Sequence, residues 1–273
     1  MVAQLPPFVS VQWLQDNARE VVICDVRMRP DAEQARAEFE AGHIPGARFV
    51  DLNSDLAAPP GDRVGRHPLH DPVIFAATMG LLGIGLDTPV VAYDDSAGAF
   101  AARMVWMLRA TGTPAAVLDG GRDAWSGELV SGEVNVEPVD RPVVPWPDHL
   151  IADRDDVIAA LEVGTPVIDS RAAERYRGEV EPLDRIAGHI PGAVSLPFTE
   201  HLSGGTFDAA GAGSRFADVG VGDGDAVIYC GSGVTACVNV LAAEAAGLGT
   251  KRLYVGSWSG WSTTPDAEIA TGD

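Results

Sequence analysis

Residues 226–237 read AVIYCGSGVTAC, and the elements that this stretch predicts decide the fold. A short apolar run ends at Cys230, glycines flank Ser232, and small residues follow with the composition of a helix. The pattern predicts a strand, a tight turn and a helix that begins near Val234. Backbone N–H groups converge at such a turn beside the positive end of the helix dipole, where anions bind and thiolates are stabilised. We therefore expect a reactive cysteine, with a buried structural thiol as the alternative.

The composition is that of an acidic globular protein. A length of 273 residues exceeds that of a typical single domain, so two domains are expected. The formal net charge of -20 argues against nucleic acid and anionic membrane as partners, because both are bound through basic surface. The three cysteines have no metal-ligand spacing, residues 1–12 lack a basic region followed by an apolar core, and no later segment is long and apolar enough to span a bilayer. We expect a cytoplasmic protein with no metal and no cofactor.

The chain repeats itself once, with GHIPGA at residues 42–47 and again at 188–193. Corresponding elements surround the two copies. They are a first strand at 21–25 and 166–169, a second strand at 89–93 and 226–229, and a helix at 97–110 and 234–246.

Alternating short strands and helices are typical of a parallel sheet that is covered by helices on both faces. We predict an α/β protein of two paralogous domains, with a first domain at 1–130, a linker at 131–150 and a second domain at 151–273.

The two halves differ at the position of the cysteine. Alignment of the second strands places Asp94 opposite Cys230, so the first half lacks the nucleophile. The histidines of the repeat, His43 and His189, occur in both halves and are therefore predicted to be structural residues of a turn.

Several motifs together resemble those of tandem-domain rhodanese-type sulfurtransferases. They are both GHIPGA segments, CGSGVT from residue 230, DSR at 169–171, RYRG at 175–178 and GSW at 256–258. The resemblance covers essentially the whole chain. It implies two rhodanese-like domains, each a mainly parallel sheet flanked by helices, with the catalytic cysteine in the second. CGSGVT is typical of the 3-mercaptopyruvate branch, whereas thiosulfate enzymes usually place basic residues directly after the cysteine.

The resemblance implies that sulfane sulfur moves from 3-mercaptopyruvate to a Cys230 persulfide, with release of pyruvate, and then to a thiol acceptor or cyanide. The acceptor would be thioredoxin or a low-molecular-weight thiol. Gly231 and Ser232 carry no charge, so the loop is expected to suit a donor with a distant single carboxylate better than dianionic thiosulfate. Thiosulfate sulfurtransferase activity and a persulfide relay without small-molecule turnover stay open as alternatives.

The resemblance also implies the residues of the site. The predicted catalytic residues are Cys230, Ser232 and His67, the last within RVGRHPLHDP at 63–72, where His70 and Asp71 match the family less well. The predicted substrate-binding residues are Arg175, Gly231, Gly233, Val234, Thr235 and Arg185. Arg185 is included because a second substrate arginine of the family falls at Leu183 here, and Thr235 is also predicted to cap the helix. The acidic partner of the family's histidine falls at Asn53.

A cysteine phosphatase or arsenate reductase would share the same strand, loop and helix. These enzymes need an arginine at the sixth residue after the cysteine to clasp the oxyanion. That residue is Ala236 in this chain, so the sequence argues against phosphoryl chemistry.

Overall fold

A computed structural model describes residues 5–273, which form two compact units, each discontinuous in sequence. The first unit consists of residues 5–58, His70–Trp146 and Gly205–Phe207, and the second of Pro59–Leu69, Pro147–Gly204 and Asp208–Asp273. Pro59–Leu69 therefore belongs to the second unit although it precedes the predicted linker in sequence. The domain division at residues 130 and 150 stays a prediction.

The sheet of the first unit consists, within the described residues, of five parallel strands. They are β1 (Phe8–Val9), β2 (Val22–Arg27), β3 (Arg48–Asp51), β4 (Val90–Tyr93) and β5 (Ala115–Leu118), in the spatial order β1-β5-β4-β2-β3. The helices are α1 (Val11–Asn17), α2 (Ala32–Ala41), α3 (Leu52–Asp55), α4 (Pro72–Leu81), α5 (Ala101–Ala110) and α6 (Gly121–Ala124).

The second unit repeats this arrangement. Its strands are β6 (Ile151–Ala152), β7 (Val167–Asp169), β8 (Val194–Ser195), β9 (Leu202–Ser203), β11 (Val227–Tyr229) and β12 (Arg252–Tyr254), while β10 (Thr206–Phe207) belongs to the first unit. The helices are α7 (Arg154–Glu162), α8 (Ala173–Tyr176), α9 (Ala209–Asp218), α10 (Ala236–Ala245) and α11 (Ser257–Trp261), with short 3-10 turns at Asp148–Leu150 and Phe198–His201.

Its sheet has the spatial order β6-β12-β11-β7-β8, which is equivalent to that of the first unit, and all of its strands are parallel. The prediction of two α/β units with parallel sheets flanked by helices is confirmed. Each unit has its own buried core. Residues such as Leu14, Ile23, Phe39 and Leu118 form the first, and Val157, Val167, Tyr229 and Trp258 form the second.

The predicted strands agree with the structure to within two residues, whereas the helices begin later than predicted. The helices expected from residues 97 and 234 begin at Ala101 and Ala236. Left-handed backbone occurs near both starts: φ is +82° at Gly98, which was expected to be helical, and +75° at Gly233, which directly precedes the expected helix. Helical composition thus extends into a loop that is not helical.

The GHIPGA histidines have structural contacts, as expected. His189 Nδ1 lies 2.8 Å from the carbonyl oxygen of Tyr176, and the two rings stack at 3.8 Å. In the first unit, His43 has the same relation to Phe39, at 2.9 Å from its carbonyl oxygen and 4.0 Å between rings. Both histidines are buried and fix the turn that follows them.

No helix within residues 5–273 is long and apolar enough to cross a membrane.

Candidate active site

Cys230 lies at the carboxyl end of β11, which is an interior strand of the second sheet. Ligands of open parallel sheets gather at this end of the strands. The backbone of Cys230 is held by the GSW segment. Its N–H donates to Ser257 Oγ at 3.2 Å, and its carbonyl oxygen accepts from the N–H of Trp258 at 2.9 Å. The cysteine is 1% exposed, so only a reactant that enters the loop can reach it.

Ser257 holds the cysteine from a strained conformation that the sequence did not reveal. Its φ is +51°, which is uncommon for a residue other than glycine, and it is fully buried. Its hydroxyl donates to the carbonyl oxygen of Tyr254 at 2.9 Å while it accepts from Cys230. Strained residues of this kind cluster at functional sites, where the surrounding structure fixes them.

The loop at 231–235 requires a glycine at Gly233. A Cβ atom there would lie 2.7 Å from the carbonyl oxygen of Val255, and the φ of +75° also disfavours any other residue. Thr235 occupies the N-cap position of α10, but its side chain makes no capping hydrogen bond. The prediction that Thr235 caps the helix through its side chain is therefore wrong. Its φ and ψ of -69° and -21° are already helical, whereas a capping side chain needs extended backbone.

Ser232 and His67 are brought together across 165 residues of sequence. His67 Nδ1 lies 2.8 Å from Ser232 Oγ. The segment that carries His67 packs tightly on the GSW segment, since a Cβ atom at Gly65 would lie 2.5 Å from the carbonyl oxygen of Gly256. A hydroxyl paired with an imidazole thus lies two residues from the thiol. Such a pair can supply or accept a proton.

Arginine side chains flank the residue after the cysteine. A Cβ atom built on Gly231 would lie 2.9 Å from Nη2 of Arg66 and 3.4 Å from both Nη1 and Nη2 of Arg175. The sequence predicts Arg175 near the loop but no cation in the loop itself. The structure differs from this prediction, because Arg66 supplies a guanidinium from a segment that is distant in sequence. Its backbone N–H donates to Ser259 Oγ at 3.0 Å.

Carboxylates hold these arginines in place. Arg175 Nη2 donates to Glu181 Oε1 at 2.7 Å and lies 3.4 Å from Asp184 Oδ2, while Arg66 pairs with Asp184 Oδ1. Burial acts to raise the pKa of Glu181, yet the donors around it, chiefly Arg175, hold that pKa below its ordinary value. Glu181 also accepts from Arg171 Nη1 at 3.3 Å. These contacts make a continuous network of ion pairs beside the loop.

Arg185 and the side chain of Leu183 lie outside the ion pairs named above, although the backbone N–H of Leu183 donates to Glu181 Oε1 at 3.0 Å. Both are exposed and line an open cleft of about 270 Å³ that Arg66, Asp184 and Ser259 also line. Arg66 and Arg175, rather than Arg185, are the arginines that the structure places at Gly231. The family's second substrate arginine falls at Leu183 in this chain. At the loop, the guanidinium of Arg66 occurs in its stead.

The first unit shows what a loop of this type binds. Asp94 follows β4 as Cys230 follows β11, and its carboxylate is buried. Its oxygens accept backbone hydrogen bonds of 2.7–2.8 Å, donated by Ser96, Gly98, Phe100 and Ala101. Burial raises the pKa of Asp94, and these donors oppose that effect. The loop is a cradle for an anion, here filled by the chain's own carboxylate.

Asn53 belongs to the first unit. Its side-chain amide donates to the carbonyl oxygen of Arg29 at 3.0 Å, and its backbone N–H donates to Asp51 Oδ1 at 3.0 Å. Both contacts organise the start of α3.

The cysteines Cys24, Cys230 and Cys237 are all buried thiols. Cys237 lies in α10, and its Sγ is 3.4 Å from the carbonyl oxygen of Gly233. Burial raises the pKa of Cys24 to about 12. Among the described side chains, no group of His, Cys, Asp and Glu is arranged to hold a metal ion.

Both halves of the chain match a known protein family. Residues 10–128 and 153–264 both match the rhodanese-like domain family. A Pseudomonas aeruginosa protein named "Probable 3-mercaptopyruvate sulfurtransferase" is 42% identical over 93% of each chain. A Mycobacterium tuberculosis protein named "Putative thiosulfate sulfurtransferase SseB" is 40% identical, over 92% of this chain and 91% of its own.

A solved structure agrees with the sequence relatives. The crystal structure of Escherichia coli SseA, described as that of a 3-mercaptopyruvate sulfotransferase, is 32% identical with a TM-score of 0.78. The match covers 93% of this chain and 99% of that one. The family match in both halves, the level of identity and the shared fold lead to one conclusion: this chain belongs to the rhodanese family and carries two rhodanese-like domains in tandem.

Proposed function

We propose that this chain is a sulfurtransferase that takes sulfur from 3-mercaptopyruvate, holds it as a Cys230 persulfide and passes it to a thiol acceptor. The observation that carries the proposal is the convergence of Arg66 and Arg175 on Gly231, next to the nucleophile. A carboxylate bound by these guanidiniums holds the donor with its sulfur near Cys230. The names of the P. aeruginosa and E. coli relatives support this donor.

In the first half-reaction, the thiolate of Cys230 attacks the thiol sulfur of 3-mercaptopyruvate. The Sγ–S bond forms while the S–C bond breaks, and the electron pair of the broken bond moves into the carbon fragment as pyruvate enolate. The proton of the donor thiol stays on the persulfide. The enolate takes up one further proton and leaves as pyruvate.

The proton for the enolate comes from the pair formed by Ser232 and His67. The 2.8 Å contact between Ser232 Oγ and His67 Nδ1 supports this role, because it links a hydroxyl two residues from Cys230 to an imidazole, the side chain that most often acts as a general acid or base. Delivery of a proton by a positioned acid typically accelerates a step about 10²–10⁴-fold.

In the second half-reaction, an acceptor thiolate attacks the outer sulfur, and Cys230 leaves as thiolate. The backbone N–H groups of Gly231, Gly233, Val234 and Thr235 stabilise the anionic sulfur in both half-reactions. The hydrogen bonds that the related loop of the first unit donates to Asp94 support this assignment. The loop at 231–235 is one residue shorter than that at 95–100, so its donors differ in detail.

A low-molecular-weight thiol or the exposed cysteine of a protein such as thioredoxin is the proposed acceptor, in the cytoplasm. Because Cys230 is 1% exposed, a small thiol or a protruding loop reaches the persulfide more readily than a flat protein surface does. We also propose the division into domains at 1–130 and 151–273 with a linker at 131–150. The matched ranges 10–128 and 153–264 are compatible with it.

Thiosulfate sulfurtransferase activity is the second candidate. Thiosulfate carries two negative charges beside the attacked sulfur, and guanidiniums at Gly231 favour such a donor. The name of the M. tuberculosis relative supports it as well. The carboxylates that pair with Arg66 and Arg175 oppose it, and this opposition makes 3-mercaptopyruvate the preferred candidate.

The two donors are compared directly with the purified protein and a thiol acceptor. We expect release of pyruvate from 3-mercaptopyruvate with a kcat/KM above that for release of sulfite from thiosulfate. Transfer of persulfide from another protein, with no turnover of either donor, would instead identify a relay. Faster turnover of thiosulfate would reverse the order of the two candidates.

Replacement of Arg175 by Ala tests the binding of the donor carboxylate. We expect KM for 3-mercaptopyruvate to rise about 10- to 100-fold, since a charge-assisted hydrogen bond of about 1.5–3 kcal/mol is lost. Arg177→Ala is the matched control, because Arg177 pairs with Glu179 at the surface. An unchanged KM in the Arg175 variant would show that the carboxylate binds elsewhere.

A further inference from the structure

Asp184 lies where the guanidiniums at Gly231 meet. Its carboxylate pairs with Arg66, and its Oδ2 lies 3.4 Å from Nη2 of Arg175. The Asp184 side chain is 7% exposed. Water therefore screens its charge from an anion bound at the loop less than it screens the charge of an exposed carboxylate. No step of the proposed mechanism uses this carboxylate.

Within the described residues, the ion pairs beside the loop balance in charge. Asp169 pairs with Arg171, Glu181 with Arg175 and Arg171, and Asp184 with Arg66 and Arg175. The formal charges of these arginines and carboxylates sum to zero. The arginines of this set therefore present N–H donors to a bound anion, while the set as a whole carries no net positive charge.

We infer that Asp184 is a specificity-determining residue, which lowers the affinity of the site for dianionic sulfur donors relative to monoanionic ones. The inference rests on the proposed function. A fixed negative charge repels a dianion about twice as strongly as a monoanion at the same distance. Thiosulfate carries both of its charges close to the attacked sulfur, whereas the single carboxylate of 3-mercaptopyruvate lies on the far side of a carbonyl group.

A merely structural role would have a different signature. If Asp184 only oriented Arg66, its replacement would weaken both donors together and leave their ratio unchanged. The charge-balance role changes the ratio of the two kcat/KM values, and the change must shrink when salt screens the site. Ratio and salt dependence therefore separate the two explanations.

The test is Asp184→Asn, which keeps a hydrogen-bond acceptor for Arg66 but removes the charge. We expect the ratio of kcat/KM for thiosulfate to that for 3-mercaptopyruvate to rise about five- to tenfold at low salt. The rise should become smaller in about 0.5 M salt. Asp184→Glu, which keeps the charge, should leave the ratio near that of the wild type. Glu179→Gln is the matched control for loss of a surface carboxylate, and it should leave the ratio unchanged.

Arg66 provides a second, independent variant. Arg66→Gln should lower the ratio, because the dianion loses more attraction than the monoanion and Asp184 is left less compensated. In the double variant Arg66→Gln/Asp184→Asn the two effects should largely cancel. If Asp184→Asn does not fold, as judged by circular dichroism and thermal denaturation, Asp184→Ser, which also removes the charge and keeps a hydrogen-bond acceptor, replaces it in the comparison.

The outcomes separate this inference from the proposed function. A wild-type protein that releases pyruvate, together with folded Asp184→Asn and Arg66→Gln variants whose donor ratio is unchanged, overturns the inference and leaves the function standing. A wild-type protein that turns over neither donor overturns the function itself.

Discussion

Cys230, the proposed nucleophile, is almost completely buried. The thiol is 1% exposed, and its backbone is fixed by Ser257 and Trp258. In the proposed mechanism the backbone N–H groups of the loop stabilise the anionic sulfur, and burial keeps the persulfide from reacting with bulk solvent. The geometry that protects the intermediate also restricts access to it.

The nucleophile is tested by Cys230→Ser. We expect sulfur transfer from either donor to fall by at least about 10³-fold, because a serine hydroxyl forms no persulfide. The melting temperature should change little, since the two side chains differ by one atom. Cys237→Ser is the matched control, and it should retain activity because Cys237 lies in α10. Sulfur transfer by the Cys230 variant would assign the nucleophile to another residue.

His67 is tested by His67→Gln with both donors. We expect the rate of pyruvate release to fall about 10²-fold, because the enolate loses its proton donor. Release of sulfite from thiosulfate should fall much less, since sulfite leaves as an anion and needs no proton. Stopped-flow measurement of both products makes the comparison. An equal loss with the two donors would mean that His67 positions Ser232 but transfers no proton.

At the residue scale, the sequence predicted a site residue only where a reactive side chain lies within a recognisable local pattern. Cys230 could be predicted because its loop, its glycines and its strand are contiguous. Arg66 could not, because its contact with Gly231 depends on the packing of Gly65 against Gly256 in a distant part of the chain. The position of Asp184 beside the loop could not be predicted either, since nothing in the sequence distinguishes this carboxylate from the others of an acidic chain.

At the element scale, the junction between β11 and α10 depends on one glycine. Gly233 adopts a φ of +75°, and a Cβ atom there would lie 2.7 Å from the carbonyl oxygen of Val255. Gly233→Ala should therefore destabilise the protein by about 1–3 kcal/mol and suppress persulfide formation at Cys230. Denaturant unfolding and cyanolysis of the persulfide measure the two effects.

Gly213→Ala is the control for that experiment. Gly213 lies within α9, where an added Cβ would meet nothing within 4 Å. The substitution should stabilise the protein by about 0.5–1 kcal/mol through the helical preference of alanine, with activity unchanged. Similar destabilisation at both positions would show that the loop has no special requirement.

The strands were predicted well because short apolar runs between turns leave few alternatives. The starts of α5 and α10 were predicted too early, since small residues such as those at 97–99 suit a helix and a loop equally well. A glycine with left-handed backbone makes such a segment a loop rather than a helix. The sequence does not show which backbone conformation a glycine adopts.

At the scale of the whole molecule, the two halves share one fold, but only the second has a cysteine in the loop after the second strand of the repeat. Both sheets have the same strand order, and both cradles follow the second strand of the sequence repeat. The repeat of GHIPGA was sufficient to predict this architecture because equal motifs in equal order imply equal folds. The grouping of Pro59–Leu69 with the second unit was not predictable, since no local pattern marks where a segment packs.

Asp94→Asn tests the separation of the two halves. Each oxygen of Asp94 accepts N–H donors, whereas an amide nitrogen accepts none, so part of the first cradle loses its partners. We expect the free energy of unfolding to fall by about 1–3 kcal/mol. The exposed Asp123→Asn should change it by no more than about 0.5 kcal/mol.

Persulfide content provides the second measurement for this pair of variants. Folded Asp94→Asn protein should still form one persulfide per chain at Cys230, as detected by mass spectrometry. A cradle in the first unit that tolerates the amide without loss of stability would show that its carboxylate is dispensable.

The carboxylate of Asp94 has a consequence for how the two copies of the loop can differ. A loop shaped to bind an anion is least stable when it is empty. In the proposed cycle the second copy holds a sulfur anion whose outer atom arrives and leaves at every turnover, whereas the first copy holds a carboxylate that is tethered to the chain and never leaves. A copy of the loop that has no reactive residue can therefore keep its shape with a ligand of its own.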